Sequence, residues 1–473
     1  MRHPKRGMPH CSMNTMIHAY KLAGTNIVVD AASGAVHKLD DLAFDAVIRY
    51  ETHSPQELTA ELLRLYAADP LVNQAAISKT LAEIDALKAA GQLFANDTYA
   101  PLAEIPREDP RPVKALCLHV AHCCNLICDY CFARATVNHG TDSLMSFETG
   151  RAALDFLLQN SGTRRNLEVD FFGGEPLLNW SVLQQLVAYG REQETTWSKR
   201  GMSKRFRFTL TTNGMLLDDA IIAFANEHMD NVVLSLDGRR EIHDHFRKTS
   251  DGRGSFDIVL PKFRQLIATR TKGTHYIRGT FTRRNLDFVT DILALADLGF
   301  TELAMEPAVS CGAADEYSLQ ENDLPRLSAE YERLAFEMRA REQSGQQFRF
   351  YHYNLNPEHA PCVHKRLLGC GVGTEYLAVT PTGELYPCHQ FVGDSDFCMG
   401  NVWRGVTTPD LQAGFAAVNI YTRPDCRDCW AKLYCSGGCT ANGYHAAGTL
   451  HGVDKLGCEL FKKRLECALW LLA

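Results

Sequence analysis

The feature that most constrains the fold is an alternation of short apolar segments with amphipathic ones between residues 113 and about 320. Six apolar segments have the length and composition of buried β-strands. They read VKALCLHV, LEVDFF, RFTLTT, NVVLSL, HYIRGTFT and TELAMEP. Amphipathic segments such as ETGRAALDFLLQN and WSVLQQLVAYGRE separate them. This alternation of strand and helix segments predicts an α/β fold with a parallel sheet, open or partly closed into a barrel.

The segment before these repeats predicts a separate small α/β unit. TNIVVD and AVHKLD, joined by AASG, are typical of a β-hairpin, and two helical patterns follow, the second ending near Gly91. A hairpin followed by helices suggests a winged-helix-like module, and a simple capping domain is the alternative. PLAEIPREDPRP, with four prolines in twelve residues, predicts a linker.

The chain therefore divides into six predicted parts. The C-terminal part is loop-rich, contains the strong turn PTGELYP and has few periodic apolar segments, so metal should replace part of its core. The parts are a flexible, basic extension (1–15), the small α/β unit (16–100), the linker (101–112), the repeat region (113–320), a helical bridging region (321–369) and the C-terminal region (370–473).

Composition narrows the function classes. The formal net charge of −7 gives no reason to expect a nucleic-acid partner. No apolar run approaches the roughly 18 residues that a membrane helix needs, and residues 1–15 lack the apolar segment of a secretory signal. We therefore expect a cytoplasmic protein that does not bind membranes. In a reducing compartment its 17 cysteines are more often metal ligands or reactive thiols than disulfides.

The first cysteine-rich stretch, HCCNLICDYCF at 122–132, directly follows the first predicted strand. It therefore lies at the carboxyl edge of the sheet, where active sites gather in such folds. Zinc sites favour C-x2-4-C pairs completed by a second pair, and no fourth ligand is obvious nearby. Three thiolates from one loop, at Cys124, Cys128 and Cys131, would instead leave one iron of a four-iron cluster open.

This spacing resembles the C-x3-C-x2-C motif of the radical S-adenosylmethionine (SAM) enzymes. Cys123 would give x4, so the resemblance assigns the cluster and the catalytic role to Cys124, Cys128 and Cys131. FFGGEP, TTNG and SLDG follow successive strands, as the family's SAM-contacting turns do; singly, each is an acceptable turn. The SAM contacts that the resemblance implies are Tyr130, Phe132, Gly173, Gly174, Glu175, Thr212, Asn213, Ser235, Asp237 and Arg278.

Soft thiolate ligands suit iron–sulfur clusters. In this family the open iron chelates the amino and carboxylate groups of SAM, and one electron cleaves a sulfur–carbon bond. The resulting 5′-deoxyadenosyl radical abstracts a hydrogen atom from the substrate. The resemblance implies that the parallel sheet is the partial (β/α)6 TIM-like barrel of this family, which has to hold substrate and radical together and to exclude water.

A second cysteine-rich region follows position 370 and resembles the seven-cysteine SPASM domain; a pair of structural zinc sites is the alternative. The resemblance implies two auxiliary 4Fe–4S clusters, hence three in all. Auxiliary cluster I would be held by Cys370, Cys388 and Cys439. Auxiliary cluster II would be held by Cys426, Cys429, Cys435 and Cys458.

Seven cysteines cannot fill eight ligand positions. Some SPASM enzymes carry the eighth six residues after the first, where this chain has Tyr376. Cys362 and Cys398 are candidates for the gap, but neither has that spacing. We therefore expect an open iron on auxiliary cluster I, which a substrate cysteine can occupy. Three further cysteines, Cys117, Cys311 and Cys467, are interpreted as packing thiols, as is Cys398 if it is not a ligand.

The segment MIHAYKLAGTNIVVDAASGAVHKLDDLAFDAVIRY resembles the start of the maturases of SCIFF peptides, which are small cysteine-rich ribosomal precursors. The resemblance implies leader recognition by residues 16–100 through strand addition. It also implies a thioether between a cysteine sulfur and a carbon of an acceptor residue, expected to be threonine. A flavodoxin- or ferredoxin-type donor would supply electrons. The alternatives are a sulfatase-activating or quinone-cofactor maturase, and a non-catalytic iron–sulfur electron carrier or peptide-binding scaffold.

Overall fold

The computed structural model of the chain describes residues 16–104, 111–132, 143–309, 316–355 and 362–473. The predicted extension at 1–15, the middle of the predicted linker at 105–110, and Cys311 lie outside these ranges. Among the helices of the described ranges, none is both long enough and apolar enough to span a bilayer.

The N-terminal unit is a three-stranded antiparallel sheet followed by helices. Its elements are β1 (Ile17–Leu22), β2 (Thr25–Asp30), β3 (Ala35–Leu39), α1 (Asp41–Val47), α2 (Pro55–Leu65), α3 (Gln74–Ala89) and the short α4 (Ala100–Ala103). The predicted hairpin is confirmed as β2 and β3, while β1 and two of the four helices were not predicted. The unit has its own apolar core, to which Val28, Phe44, Leu62 and Ile77 contribute. Ser54 and Glu57 form a capping box that fixes the start of α2.

All six predicted strands of the repeat region are present. The strands between 111 and 355 are β4 (Ala115–Ala121), β5 (Ile127–Cys128), β6 (Asn166–Gly173), β7 (Arg205–Thr212), β8 (Asn231–Ser235), β9 (Arg247–Lys248), β10 (Thr274–Phe281), β11 (Glu302–Pro307) and β12 (Arg349–Phe350). Apart from β5 and β9, which pair with each other, they form a parallel sheet in the order β12-β11-β10-β8-β7-β6-β4. This mixed α/β fold places the carboxyl ends of β4, β6, β7 and β8 along one edge.

The helices of this region alternate with its strands and pack on the sheet through a shared apolar core. They are α5 (Phe147–Asn160), α6 (Trp180–Lys199), α7 (Asp219–His228), α8 (Arg240–Phe246), α9 (Phe256–Thr269), α10 (Phe288–Asp297) and α11 (Leu324–Gln343). Side chains of Ser146 and Asp218 cap the starts of α5 and α7. A parallel sheet covered in this way buries its strands, and β4 is buried at every position.

The C-terminal region differs from the predicted loop-rich unit in two respects. Its elements are α12 (Val363–Leu368), β13 (Tyr376–Val379), β14 (Glu384–Tyr386), β15 (Gly400–Asn401), β16 (Gly405–Val406), α13 (Pro409–Ala416), α14 (Pro424–Arg427), α15 (Lys432–Cys435), α16 (Thr440–Ala447) and α17 (Lys455–Leu472). β13 pairs in parallel with β4, so the hairpin around PTGELYP extends the main sheet. The last helix, α17, buries Leu460, Leu465 and Leu469 in the main core. β13 thus pairs with an edge of the repeat-region sheet, and α17 packs on its apolar core. Local sequence patterns do not reveal such long-range contacts.

Candidate functional site

The loop with the first three cysteines of interest leaves β4 at the carboxyl edge of the sheet. β5 pairs with β9 through Cys128 and Arg247, so a second segment holds the loop. The backbone N–H of Cys131 donates to the carbonyl of Cys128 at 3.1 Å. Cys124 and Cys128 each interact electrostatically with Cys131, which places the three thiols in one neighbourhood.

The glycine-rich turn after β6 lies against the backbone of this loop. Gly174 N donates to Ala121 O at 2.8 Å, and Glu175 N donates to Cys123 O at 2.9 Å. A Cβ atom on Gly174 would lie 2.1 Å from Cys123 O, and one on Gly173 would lie 2.1 Å from Ala121 O. The two glycines are therefore required by a close approach of two backbones, in addition to any contact with SAM.

Glu175 connects the glycine-rich turn to the next predicted SAM-contacting turn. Its buried carboxylate accepts hydrogen bonds from Thr212 Oγ1 at 2.8 Å, Asn213 N at 2.8 Å and Leu177 N at 3.1 Å. Burial raises the pKa of Glu175 to about 7, although these hydrogen bonds act against the rise. The Asn213 amide in turn donates to Asn125 Oδ1 at 2.8 Å and to Cys124 Sγ at 3.7 Å.

Asp237, at the end of the third turn, is fully buried and pairs with an arginine that the sequence analysis did not identify. Arg247 Nε and Nη2 donate to its two carboxylate oxygens at 2.9 and 3.1 Å. The hydroxyl of Tyr130 donates to Asp237 Oδ2 at 2.5 Å, and the Arg247 guanidinium lies 5.7 Å from the centre of the Tyr130 ring. Although burial opposes ionisation, the Arg247 charge lowers the pKa of Asp237. Asp237 thus fixes the Tyr130 side chain through a hydrogen bond, and Arg247, in β9, pairs with Cys128 of β5 through its backbone.

A buried histidine completes this anchor. Asp237 N donates to His243 Nδ1 at 3.3 Å, and His243 Nε2 lies 2.9 Å from Ser255 Oγ, which donates to Arg247 O at 2.8 Å. Burial lowers the pKa of His243 to about 3, so the ring is neutral and donates through Nε2. His243 and Arg247 lie in the segment EIHDHFRK, shortly after SLDG. Without a structure, this segment is indistinguishable from the charged end of a helix.

The three remaining predicted SAM contacts lie near the same edge. Ser235 ends β8 and stands in register with Arg278 of β10. The Arg278 side chain is exposed, and its carbonyl accepts from Leu236 N at 3.1 Å. Phe132 contacts the ring of His389, with centroids 5.3 Å apart, and so reaches toward the C-terminal region. The structure thus gathers the predicted turns at one edge, and their roles toward SAM remain predictions.

The chemistry around Cys124 suits a cluster ligand. Its sulfur accepts from Leu126 N at 3.5 Å as well as from Asn213. Burial raises the pKa values of both Cys124 and Cys128 to about 12. Such thiols stay protonated at neutral pH until a metal displaces the proton, as iron–sulfur ligands do.

The four cysteines predicted for auxiliary cluster II line a single cavity of about 390 Å³. Burial raises the pKa of Cys435 to about 11 and that of Cys458 to about 12. Lys432 and Lys462 also line the cavity, and their positive charges lower the pKa values of Cys426 and Cys458 respectively, against the effect of burial. The cavity lining is thus chemically suited to a thiolate-bound cluster. The four lining cysteines are Cys426, Cys429, Cys435 and Cys458.

The three cysteines predicted for auxiliary cluster I also form one neighbourhood. Cys388 interacts electrostatically with Cys439 and Cys370, and burial raises the pKa values of Cys388 and Cys370. Cys439 caps α16, and its sulfur accepts from Asn442 N and from Gln390 Nε2, each at 3.5 Å. Hydrogen bonds to sulfur are typical of protein-bound iron–sulfur clusters.

The other cysteines have different surroundings. Cys398 Sγ lies 3.8 Å from Gly400 O in a weak contact, and Cys362 is exposed at the start of α12. Cys117 and Cys467 are buried in apolar clusters, which confirms their interpretation as packing thiols. Tyr376, at the position of the missing eighth cysteine, packs against the apolar cluster that contains Cys117. Within the described ranges, no three His, Cys, Asp or Glu side chains converge at the spacing that a single metal ion requires.

Sequence comparison identifies the domain that carries the first site. The profile of the Radical SAM superfamily matches residues 118–283. The serine-type anaerobic sulfatase-maturating enzyme of Klebsiella aerogenes is 25% identical over 384 residues, which span 74% of this chain and 84% of that protein. The radical SAM cyclopropyl synthase TigE of Paramaledivibacter caminithermalis is 20% identical over 372 residues, spanning 75% of this chain and 74% of that protein.

Solved structures show the same fold. The enzyme anSMEcpe with bound AdoMet superposes with a TM-score of 0.63 and 20% identity, covering 76% of this chain and 94% of that chain. Streptococcus suis SuiB bound to its precursor peptide SuiA gives a TM-score of 0.50 and 16% identity, covering 88% of this chain and 92% of that chain. Residues 118–283 are therefore a radical SAM domain, and the chain that carries it has homology to the anaerobic sulfatase-maturating enzymes.

Proposed function

We propose that the protein is a peptide maturase that links a cysteine sulfur to a carbon of an acceptor residue, threonine by expectation, in a cysteine-rich ribosomal precursor. The observation that carries this proposal is the division of the C-terminal cysteines. Among the described residues, four of them line one cavity, whereas Cys370, Cys388 and Cys439 form the second neighbourhood. Three thiolates would leave one ligand position of auxiliary cluster I for the sulfur of the substrate.

Buried polar atoms near this second neighbourhood support a peptide ligand. Gln390 and Asn442 each contact Cys439, yet Gln390 Oε1 and Asn442 Oδ1 have no hydrogen-bond partner among the described residues. His119 Nε2, in β4, is also buried without a hydrogen-bond partner among the described residues. Leaving such groups unpaired is costly, so a substrate that supplies N–H and C=O groups would relieve the cost.

The reaction removes two hydrogens from the peptide. When bound, the SAM cluster supplies the electron that cleaves SAM into methionine and a 5′-deoxyadenosyl radical. One hydrogen atom passes from the acceptor carbon to the 5′-deoxyadenosyl radical, which becomes 5′-deoxyadenosine, and the thiol proton is lost to solvent as the sulfur–carbon bond forms. Bond formation releases one electron, which would pass to an auxiliary cluster and balances the electron consumed in SAM cleavage. A flavodoxin- or ferredoxin-type protein is the proposed donor.

Within this scheme, the described residues position the reactants. Asn213 and Leu126 hold the sulfur of Cys124, and Glu175 holds Thr212 and Asn213 in register with the cluster loop. Preorganised hydrogen bonds of this kind fix the relative positions of substrate and radical, which is the main contribution a protein makes to such chemistry.

The N-terminal unit is the proposed leader-binding element. β3 is an edge strand, since it pairs with β2 alone among the described strands. β1 forms the opposite edge and is tied to α17, because Tyr20 Oη donates to Glu466 O at 2.8 Å and His18 lies 2.8 Å from the Glu466 carboxylate. An open edge can accept a further strand from an extended peptide, so β3 is the proposed docking edge.

A second candidate function is the maturation of a sulfatase. It is favoured by the alignment with the Klebsiella aerogenes enzyme, which spans most of both chains. Such an enzyme oxidises one residue of its target and needs no thiol bound to an auxiliary cluster. The two candidates therefore differ in the product and in their need for an open ligand position.

Mass spectrometry separates the candidates. The reconstituted enzyme is incubated anaerobically with SAM, dithionite and a cysteine-rich peptide encoded near it, and in parallel with a sulfatase-derived peptide. A loss of two hydrogens for each crosslink, at a cysteine that no longer reacts with alkylating agents, is expected for the first peptide only. Oxidation of the sulfatase peptide without crosslinking of the other would refute the proposal in favour of the second candidate.

Two variants make this experiment specific. Cys124→Ala should abolish both 5′-deoxyadenosine formation and crosslinking, because it removes a proposed ligand of the SAM cluster. Cys439→Ala should keep 5′-deoxyadenosine formation but lose the crosslink. A Cys439→Ala variant that still forms the crosslink at the wild-type rate would contradict the proposed role of auxiliary cluster I.

A further inference from the structure

Arg423 is a buried arginine in the C-terminal region that the proposed reaction does not use. Only 2% of its surface is exposed. It precedes α14, and its carbonyl accepts hydrogen bonds from Cys426 N at 3.0 Å and Arg427 N at 3.1 Å. Its backbone therefore supports the first of the four cysteines that line the cavity.

The guanidinium of Arg423 holds the chain beyond α15. Nη1 donates to Gly437 O, and Nη2 donates to Thr440 Oγ1 at 2.8 Å and to Leu450 O at 3.4 Å. These acceptors come from three separate positions of the fold, so one side chain ties together the loop after α15, the start of α16 and the turn before α17. The planar fork of arginine suits such divergent contacts.

The segment under Arg423 is the short connection between the two auxiliary cysteine sets. Cys435 lines the cavity, Cys439 belongs to the second neighbourhood, and three residues separate them. All three adopt left-handed backbone conformations: Ser436 at φ +59°, Gly437 at +86° and Gly438 at +71°. A run of three such residues is held only when its surroundings determine it, and the hydrogen bond from Arg423 falls on the middle one.

The positive charge of Arg423 has no carboxylate partner among the described residues. Its side-chain acceptors are two carbonyls and a hydroxyl, all uncharged. A guanidinium keeps its charge in proteins, and burying it without a countercharge is expensive. The nearby ionisable groups come from both cysteine sets: burial lowers the pKa of Arg423, and the charges of four cysteines raise it. They are Cys426, Cys439, Cys435 and Cys458.

We propose that Arg423 is the shared positive countercharge of the two auxiliary iron–sulfur sites and raises the reduction potential of both. This inference rests on the two auxiliary clusters of the proposed function. A cluster gains one negative charge when it is reduced, so a fixed positive charge nearby favours the reduced form. Net charge, hydrogen bonding and burial are the protein's means of setting cluster potentials. Arg423 thus acts as a positioning residue that tunes the clusters through charge and through the backbone.

The test isolates the auxiliary sites in the full-length protein. A background that carries Cys124→Ala, Cys128→Ala and Cys131→Ala should retain only the auxiliary clusters after anaerobic reconstitution. In this background, Arg423→Gln and Arg423→Lys are compared by iron and sulfide content and by redox titration followed by EPR. Arg427→Gln is the matched control: it removes the same charge at the end of α14, four residues further along the chain, but its side chain is 65% exposed, and water screens exposed charges.

We expect Arg423→Gln to lower the reduced-to-oxidised ratio of both clusters roughly tenfold at a fixed potential, which equals about 59 mV for a one-electron couple. The reduction potentials of both clusters in Arg423→Lys should lie closer to those of the cysteine-substituted background than the potentials in Arg423→Gln do. Arg427→Gln should leave both potentials unchanged. Unchanged potentials in Arg423→Gln, a shift in only one cluster, or an equal shift in Arg427→Gln would overturn the proposal.

Loss of cluster binding is also informative. If Arg423→Gln loses its auxiliary iron, retention of iron by Arg423→Lys supports the countercharge, and an equal loss in both variants overturns it. If the cysteine-substituted background itself binds no iron, the auxiliary clusters of the proposed function are refuted and the inference falls with them. That result would appear before any substitution at Arg423, so the two failures are distinguishable.

Discussion

Gly174→Ala tests whether the glycine-rich turn is required by the cluster loop itself. The added Cβ would lie 2.1 Å from Cys123 O and 3.1 Å from Cys124 N. Real Cβ atoms essentially never approach closer than 3.0 Å, so the loop must withdraw by about 0.9 Å. Gly174 is not among the residues with positive φ, so backbone strain contributes nothing and the close approach alone is tested.

The withdrawal breaks two hydrogen bonds, from Gly174 N to Ala121 O at 2.8 Å and from Glu175 N to Cys123 O at 2.9 Å. At about 1 kcal/mol each, their loss weakens the folded loop by about 2 kcal/mol. That corresponds to roughly a thirtyfold weaker equilibrium for assembling the SAM cluster. We therefore expect 5′-deoxyadenosine formation to fall by at least an order of magnitude.

The assay combines 5′-deoxyadenosine formation with iron content and far-UV circular dichroism. Gly414→Ala is the matched control, because its Cβ would lie 3.7 Å from Leu450 Cδ1, an ordinary contact. The control should match the wild type, while Gly174→Ala should lose iron and activity with unchanged secondary structure. Full iron content and wild-type SAM cleavage in Gly174→Ala would show that the loop tolerates the intrusion, and the reasoning would be refuted.

Three further predictions concern named side chains. Cys124→Ala should abolish SAM cleavage and Cys123→Ala should preserve it, because Cys123 contributes its carbonyl; equal iron loss in the two variants would contradict the assignment. Arg247→Gln should leave the buried Asp237 carboxylate without its cationic partner and lower the melting temperature. In a double-mutant cycle, adding Asp237→Asn should recover part of this loss, and additive effects of the two substitutions would exclude the coupling. Although burial opposes it, the His364 hydrogen bond and the Lys114 and Arg164 charges lower the pKa of Glu375 to about 2. Glu375→Gln should therefore reduce the free energy of unfolding by about 2 kcal/mol at pH 7, a figure discounted because the partners are partly exposed. Because the pKa of Glu375 in the folded protein lies below the ordinary 4.5, this stabilisation is complete above about pH 4.5 and is lost as the pH falls toward 2. The measurement is the difference in melting temperature between wild type and Glu375→Gln as a function of pH. A difference that already shrinks between pH 7 and pH 6 would contradict the lowered pKa.

Local patterns were sufficient to predict the strands and the first cysteine loop. An apolar segment of strand length flanked by amphipathic helices is recognisable without neighbours, and all six strands of the repeat region were predicted in this way. The cysteine loop was predictable because its three thiols lie within eight residues. The glycine-rich turn was predicted as a SAM contact, but its role in holding the cluster loop emerged only when two backbones were seen in contact.

The anchors of the site depend on residues that are distant in sequence. Arg247 pairs with Asp237 and also sets β9 against Cys128, 119 positions earlier. No local pattern distinguishes it from a solvated arginine.

The placement of the C-terminal region was decided in the same way. Tyr376 lies in β13, which covers the edge of β4, and α17 buries its apolar side in the main core, although both had been expected in a separate loop-rich unit. A sheet edge can form backbone hydrogen bonds with any strand that the fold brings beside it, and an apolar helix face can be buried against any apolar surface that the fold brings to it. The sequence by itself therefore determined the repeating units and the chemistry of the cysteine loop. The tertiary structure decided which charges, edges and faces are paired, because pairing energy depends on distance in space.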